Sequence, residues 1–465
     1  MRLRSVAPPG VWKSRHPLQP LRKYIVDLWK NHRRWVLAGG VTALVLVTGT
    51  AVYFAFIKRP GDKDCPDPCT IEAEEAKPIV GVADWPLYGL NQERTRYLNA
   101  PDVKPPYVVK WRFKGRRLLE YSPIVVGGSL YGVNNNGLAF SVKTRSGKAR
   151  WKREVAALNA SAPAYGQGKG HGFIYISNLE PGQVLALDAR DGKQIWRRAL
   201  PGRTESSPLV VDDKVIVGCE CGTLFAFDKN TGKSLWETDL GGEIKAAPAY
   251  HDGVVFVGTY GGDMNAIRID DGSTKWSTGA QGSSFGRTGR IYAAAAIGFG
   301  RVYVGSIDSR MYSFDEETGD LAWSQSTGGY VYAAAALADT PSTDPSVYFG
   351  SYDGTFYALD AKTGDERWSA NPGGSISGAA SVIGETVYVA DLTSTQTTGY
   401  GASGGNEVFN FRDGAYNPVI SDGKRLYLTG YKTLYALKPI TEAELKAKQK
   451  AKAAKAKGKG AKKEG

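Results

Sequence analysis

Leu359-Asp-Ala-Lys-Thr-Gly-Asp-Glu-Arg-Trp368 decides the fold. Asp360 is followed by a glycine four residues later, and an indole stands four residues beyond that. The same glycine-to-indole interval recurs at Gly147–Trp151, Gly192–Trp196, Gly232–Trp236, Gly272–Trp276 and Gly319–Trp323. Gly405–Phe409 continues the series with a phenylalanine, and Trp111 precedes Trp151 by 40 residues. Self-similarity at a period of 40 to 47 residues marks a repeat architecture.

Between markers each repeat reads as four short strands. In one, Ala333–Leu337, Ser346–Gly350, Thr355–Leu359 and Glu366–Trp368 carry the β-branched and aromatic residues that suit a pleated, buried surface. Asp353-Gly354 and Asp360 to Gly364 supply the turns, an aspartate bonding its own backbone and a glycine taking the positive φ. The recurring aspartates Asp188, Asp228, Asp315 and Asp360 therefore read as turn formers. No amphipathic helical period interrupts residues 111–437. Four antiparallel strands every forty-odd residues make a propeller, each blade packed face to face against the next. Trp111, Trp151, Trp196, Trp236, Trp276, Trp323, Trp368 and Phe409 are then blade-docking residues between neighbours. Residues 417–437 supply three strands without a closing aromatic, and the strand around Trp111 is the missing fourth. The expectation is an all-β, eight-bladed ring closed by pairing the start of the chain with its end.

The openings Ser122-Pro123, Ala162-Pro163, Ser207-Pro208 and Ala247-Pro248 recur from repeat to repeat. So do the strand pairs Val215–Gly222 and Val255–Gly262 and the closings Leu187–Trp196 and Leu359–Trp368. With the leading Trp85-Pro-Leu-Tyr-Gly89 and Arg94-Thr-Arg96, these segments resemble the PQQ-like β-propeller repeat over residues 84–437. That family holds quinoprotein dehydrogenases, for which the resemblance implies pyrroloquinoline quinone (PQQ) and calcium, and non-enzymatic relatives of the BamB type. It implies fold more firmly than function. An adjacent Cys-Cys pair, which the alcohol dehydrogenases of the family place on the cofactor, is replaced here by Cys219-Glu-Cys221, beside a strand turn rather than at the axis. The family's calcium ligands and catalytic aspartate match no motif of this chain, so no cofactor or resident metal is expected. No zinc-protease helix motif or Walker A loop is present either.

The chain has 465 residues and a formal charge of +13, and the location of that charge matters more than its size. Residues 1–34 carry +8 and residues 441–465 carry +6, which leaves −1 for everything between. A neutral body with basic ends has no basic face for nucleic acid. Residues 35–57 carry no charged side chain, and 23 residues at helical rise reach across a bilayer core. The domain expectation follows: a basic cytoplasmic segment 1–34, a signal-anchor helix 35–57, a linker 58–83, the propeller 84–440 and a disordered Lys/Ala-rich tail 441–465. The cluster Arg22, Lys23, Lys30, Arg33 and Arg34 sets the N-terminus inside and the propeller outside the cytoplasm, on the cell membrane.

Cys65, Cys69, Cys219 and Cys221 have no ribbon-type zinc spacing, and disulfides are the expected reading beyond the membrane. The segments entering each innermost strand should line the central channel. They place Glu120, Tyr121, Asn159, Glu205, Lys245, Arg287, Arg290, Tyr292, Tyr330, Tyr332, Tyr416 and Asn417 at one rim. These form a candidate polar, aromatic pocket for a glycan, a peptide or another polar ligand. The expected role is a non-catalytic binding or scaffold module with envelope proteins or such a ligand as partner. The alternatives are a divergent quinoprotein dehydrogenase and a BamB-type assembly factor.

Overall fold

The computed structural model describes residues 84–280, 289–414, 416–417, 419–447 and 450–451. The expected membrane span 35–57, the cytoplasmic segment, the linker with Cys65 and Cys69, and most of the tail lie outside them. Among the described residues no helix is long and apolar enough to cross a membrane.

Eight sheets follow one another along the chain. Blade 1 runs from strand Ile124–Val126 to strand Ala149–Glu154, and blade 2 from Ala164–Gln167 to Gln194–Ala199. Blade 3 spans Leu209–Val211 to Ser234–Asp239, blade 4 Ala249–His251 to Thr274–Gly279, and blade 5 Ala296–Gly298 to Leu321–Ser326. Blade 6 spans Ala336–Thr340 to Glu366–Ala370, and blade 7 Ser381–Ile383 to Glu407–Phe411. Blade 8 joins Val419–Ser421, Leu426–Thr429 and Thr433–Pro439 to the much earlier strand Tyr107–Lys114. That last pairing is antiparallel, from Tyr107 opposite Pro439 to Lys114 opposite Thr433, and closes the ring as expected. One apolar cluster unites residues of blades 7, 8 and 1, including Tyr388, Leu434 and Phe140, so burial is continuous across the closure.

The indoles sit between blades. Each points its ring at the closing-turn glycine of the next blade: a Cβ added to Gly272 would lie 2.7 Å from the Trp236 ring, and one added to Gly192 2.7 Å from Trp151. Each also donates its Nε1–H to a carbonyl of that turn, Trp111 to Thr144 at 2.8 Å, Trp236 to Ile269 at 2.9 Å and Trp368 to Ala402 at 2.9 Å. Glycine is required there twice over, by the ring overhead and by a φ of +67 to +80° at all seven turns. In the outer strands a register shift falls just before the indole, as at Ser234/Trp236 opposite Phe227/Ala226, and re-aims it toward the neighbour.

Two details depart from the sequence reading. The first strand of blade 6 starts at Ala336 rather than Ala333, because Ala333–Ala335 form the approach to the axis. Blade 7 has five strands, since Tyr97–Leu98 adds in parallel to Ser381–Ile383. This fifth strand belongs to a segment, Trp85–Leu98, that passes across the innermost edges of blade after blade. Pro86 O accepts from Tyr165 N (2.8 Å), Gln92 O from Tyr250 N (2.8 Å), Glu93 O from Ile297 N (2.8 Å), Thr95 O from Leu337 N (2.8 Å) and Arg96 O from Val382 N (2.9 Å). Inner strand edges that would otherwise present unpaired N–H groups are thereby satisfied. The tail expected to be disordered from residue 441 begins instead as a helix over residues 442–447, started by a capping box in which Glu444 accepts from Thr441 N and Thr441 Oγ1 accepts from Glu444 N.

Candidate functional site

At the axis, four small side chains from successive blades, Ala247, Ala294, Ala334 and Ala379, pack with Tyr88 of the leading segment. Their size leaves space. The result is a cavity of about 330 Å³ open at one mouth of the channel. Of the twelve candidates, Glu120, Tyr121, Glu205, Lys245, Tyr292, Tyr332, Tyr416 and Asn417 line it. All eight belong to segments entering an innermost strand, which is why one positional rule found them.

Three of the other four are described and do not line it. Asn159 is buried and turned onto its own chain, donating to Ser161 O at 2.9 Å. Tyr330 is half exposed on the outer rim, its ring 5.8 Å from that of Tyr332. Arg290 lies over the Tyr260 ring at 5.6 Å, and Arg287 is outside the described residues. Conversely, Tyr88, Tyr260 and Tyr352 line the cavity and were not anticipated. Tyr260 and Tyr352 occupy turns between the second and third strands, where a large aromatic among Gly and Asp was the available signal. Tyr88 had none, since nothing in Trp85–Gly89 says that it crosses the axis.

The polar groups fall into one ion-paired network and one exception. Glu205 accepts from Lys245 Nζ at 3.3 Å through Oε1 and from Tyr292 Oη at 2.6 Å through Oε2. Lys245 also meets Glu220 Oε1 at 3.4 Å and Glu243 Oε2 at 3.7 Å, and lies 5.3 Å from the centre of the Tyr260 ring. Burial alone would lower the Lys245 pKa, but Glu205 and Glu220 outweigh it and hold the ammonium above its ordinary range. Tyr292 is raised by Tyr121 and by burial. Edge-to-face contacts carry the aromatic lining on from Tyr260 to Tyr292 (6.2 Å), Tyr332 (5.5 Å) and Tyr352 (5.2 Å). The exception is Glu120. Its backbone carbonyl accepts from Asn417 Nδ2 at 3.2 Å, yet among the described residues its carboxylate has no hydrogen bond or ion pair. Burial, and then the charge of Glu205, push it up to about 7.

Beneath the floor, Arg94 and Arg96 are both buried. Arg94 Nε donates to Pro248 O and its guanidinium to Tyr88 O, while Arg96 donates to Arg94 O at 2.7 Å and lies 4.7 Å from the Tyr88 ring centre. Burial, and then Arg96, lower Arg94 to about 9. These cations fasten Tyr88 across the channel.

Cys219 and Cys221 are bonded to each other in the turn after strand Lys214–Gly218 of blade 3. That turn is nearer the pocket than the sequence suggested, because the residue they flank, Glu220, reaches Lys245. Two stretches have the Gly-x-Ser-x-Gly spacing of a nucleophile elbow, 282–286 and 401–405. The first is outside the described residues. The second is the turn between two strands of blade 7, not the strand-to-helix turn such an elbow needs. Asp228, Asp315 and Asp360 each accept from the backbone N–H groups two and three residues on, the turn role expected of them.

The family described as "Outer membrane protein assembly factor BamB" matches residues 180–410 and 300–458, more than half of the chain. The chain belongs to this PQQ-like propeller family. It is similar to the quinohemoprotein alcohol dehydrogenase of Comamonas testosteroni, 27% identical over 211 residues, covering 41% of this chain and 28% of that protein. It is also similar to the outer membrane protein assembly factor BamB of Pseudomonas aeruginosa, 33% identical over 96 residues, covering 20% of this chain and 23% of that one. The chain thus spans about a quarter of the length of these curated relatives. The solved BamB of Moraxella catarrhalis superposes with a TM-score of 0.58 at 20% identity, over 72% of this chain and all of that one, which speaks for the fold. The relatives include dehydrogenases, assembly factors and the serine/threonine-protein kinase AfsK of Streptomyces griseus, 38% identical over 73 residues, so the site must discriminate.

Proposed function

We propose that this chain is a membrane-anchored, extracytoplasmic propeller that binds a ligand or partner group at its channel mouth and does not transform it. Residues 35–57 would be the anchor, with the basic segment before them inside and the propeller outside. The observation that carries the reading is the state of Glu205 and Lys245. Both carboxylate oxygens of Glu205 are engaged, and the one cation among the described lining residues is ringed by three carboxylates. A calcium or lanthanide ion needs several free oxygen donors, and among the described residues no group of three or more His, Cys, Asp and Glu is placed to hold one. A polyanionic quinone would face the unpaired Glu120. The residues present therefore do not fit PQQ with its metal. The full-length protein, purified in detergent and supplied with PQQ and calcium, is expected to show no dye-linked alcohol or sugar oxidation. Turnover, or a quinone absorbance band that survives desalting, would favour a dehydrogenase with a divergent site.

A BamB-type role, with envelope proteins as partners, draws support from the family match and from Tyr330, Tyr352 and Tyr431, which are 50%, 38% and 49% exposed. Crosslinking in intact membranes should then capture envelope proteins with the native rim, and lose them when these tyrosines become alanine.

A further inference from the structure

Charge in the pocket is unequally answered. Among the described residues its two carboxylates face one ammonium, and that ammonium is committed to Glu205, Glu220 and Glu243. Glu120 is left as a largely buried carboxylate without a counter-ion among the described residues. The groups that interact with its charge are Glu205 and the hydroxyls of Tyr121, Tyr292 and Tyr416, with Tyr88 and Asn417 lining the same cavity and Lys245 beyond Glu205. An anion entering here meets two carboxylates. A neutral ligand leaves Glu120 either desolvated and charged or protonated. A cation answers the charge, and aromatic faces attract cations as well as alkyl groups. The alanine floor suits methylenes, and a cavity of about 330 Å³ accommodates a short aliphatic chain.

We infer that the pocket takes an aliphatic ammonium group, seated against Glu120 and enclosed by the tyrosine rings. This rests on the reading of the pocket as a binding site. The ammonium comes either from a small free amine or from a lysine side chain of a partner protein.

Binding is linked to a proton. Glu120 titrates near 7, so below that pH the ammonium must displace a proton and above it need not. Affinity should rise about tenfold from pH 6 to pH 8, with proton release visible by calorimetry in buffers of different ionisation enthalpy. The test is titration of the full-length protein with n-butylammonium, with butyrate and with methyl glucoside. The expected result is butylammonium binding that strengthens with pH, and in Glu120→Gln a loss of at least tenfold together with loss of the pH dependence. Glutamine mimics the protonated form, and an unchanged melting temperature at pH 6 establishes that the variant is folded. Butylammonium binding that is flat with pH, or unchanged in Glu120→Gln, overturns the assignment. Binding of butyrate or methyl glucoside in its place overturns it too while leaving the pocket a binding site, and no binding by any probe overturns both. Nα-acetyl-lysinamide separates the sources: affinity equal to or above that of butylammonium assigns a protein side chain, and its exclusion assigns a small amine.

Discussion

At the scale of single residues, the docking indole does two separable things, covering a glycine and donating one hydrogen bond. Trp236→Phe keeps most of the ring and loses the bond to Ile269 O, so it should cost about 1 to 2 kcal/mol in urea unfolding. Gly272→Ala should cost more, about 2 to 4 kcal/mol, because the new methyl meets the indole at 2.7 Å on a residue with φ +76°. Equal losses would mean that the ring covers nothing of consequence. Glu120 gives a pH-dependent counterpart. Its pKa is raised on folding from the ordinary 4.5 to about 7, so the folded state binds the extra proton and stability must fall as pH rises through that window. The loss is on the order of 2 to 3 kcal/mol by pH 8 and should vanish in Glu120→Gln, as melting temperatures between pH 4.5 and 8 will show. His251, held above its usual range by Glu316 of the next blade, adds a smaller term of the same sign. It is half exposed, so its stabilisation is at most about 0.5 kcal/mol, present below pH 6.5 and lost above it.

Elements explain why one marker breaks the pattern. Phe409 stands where an indole is expected, and the next blade is the one whose third and fourth strands come from opposite ends of the chain. No turn links Pro439 to Tyr107, so no turn glycine lies beneath the ring and no turn carbonyl awaits an indole N–H; Phe409 packs instead edge-on to Tyr107 at 5.3 Å and Tyr388 at 5.8 Å. Phe409→Trp should therefore destabilise by about 1 to 3 kcal/mol, although it restores the consensus. A stabilising outcome would refute this account of the closure. The leading segment is the other instructive element. Its cohesion depends on Arg94, whose donors satisfy carbonyls of the segment and of blade 4; Arg94→Met should cost about 3 to 5 kcal/mol in the same assay, by leaving buried carbonyls unpaired. Blade number, strand order and the closing strand were legible because each follows from a local rule repeated eight times. The path of Trp85–Leu98 was not, because it obeys no repeat: its contacts join residues from 40 to nearly 300 positions apart, such as Trp85 to Val125 and Arg96 to Val382, that nothing in the local pattern pairs. The pocket was half legible for the same reason. Segments entering innermost strands could be aligned from repeat to repeat, whereas Tyr88 reaches the axis through a singular crossing.

Considered as a whole molecule, a ring has no free face between blades, and its weakest point is where the chain must meet itself. Seven blades have their four antiparallel strands in one consecutive run, blade 7 taking only its fifth strand from afar. Blade 8 forms only when Tyr107–Lys114 returns to Thr433–Pro439, more than three hundred residues away, so it should be the last to assemble and should make unfolding cooperative. A chain of residues 84–440 retains that strand, the leading segment and all eight inter-blade contacts, and is expected to unfold in one transition. A chain of residues 99–440 keeps the outer strand of blade 8 and separates the leading segment's share, whereas one of residues 115–440 loses both that segment and the closing strand with Trp111 over Gly147, exposing the apolar faces of blades 8 and 1 and a bare strand edge. The latter should aggregate on expression, and adding a peptide of residues 84–114 during refolding should restore a soluble monomer. If 115–440 proved as soluble and as cooperative as 84–440, the stability of the ring would reside in each blade alone and not in its closure.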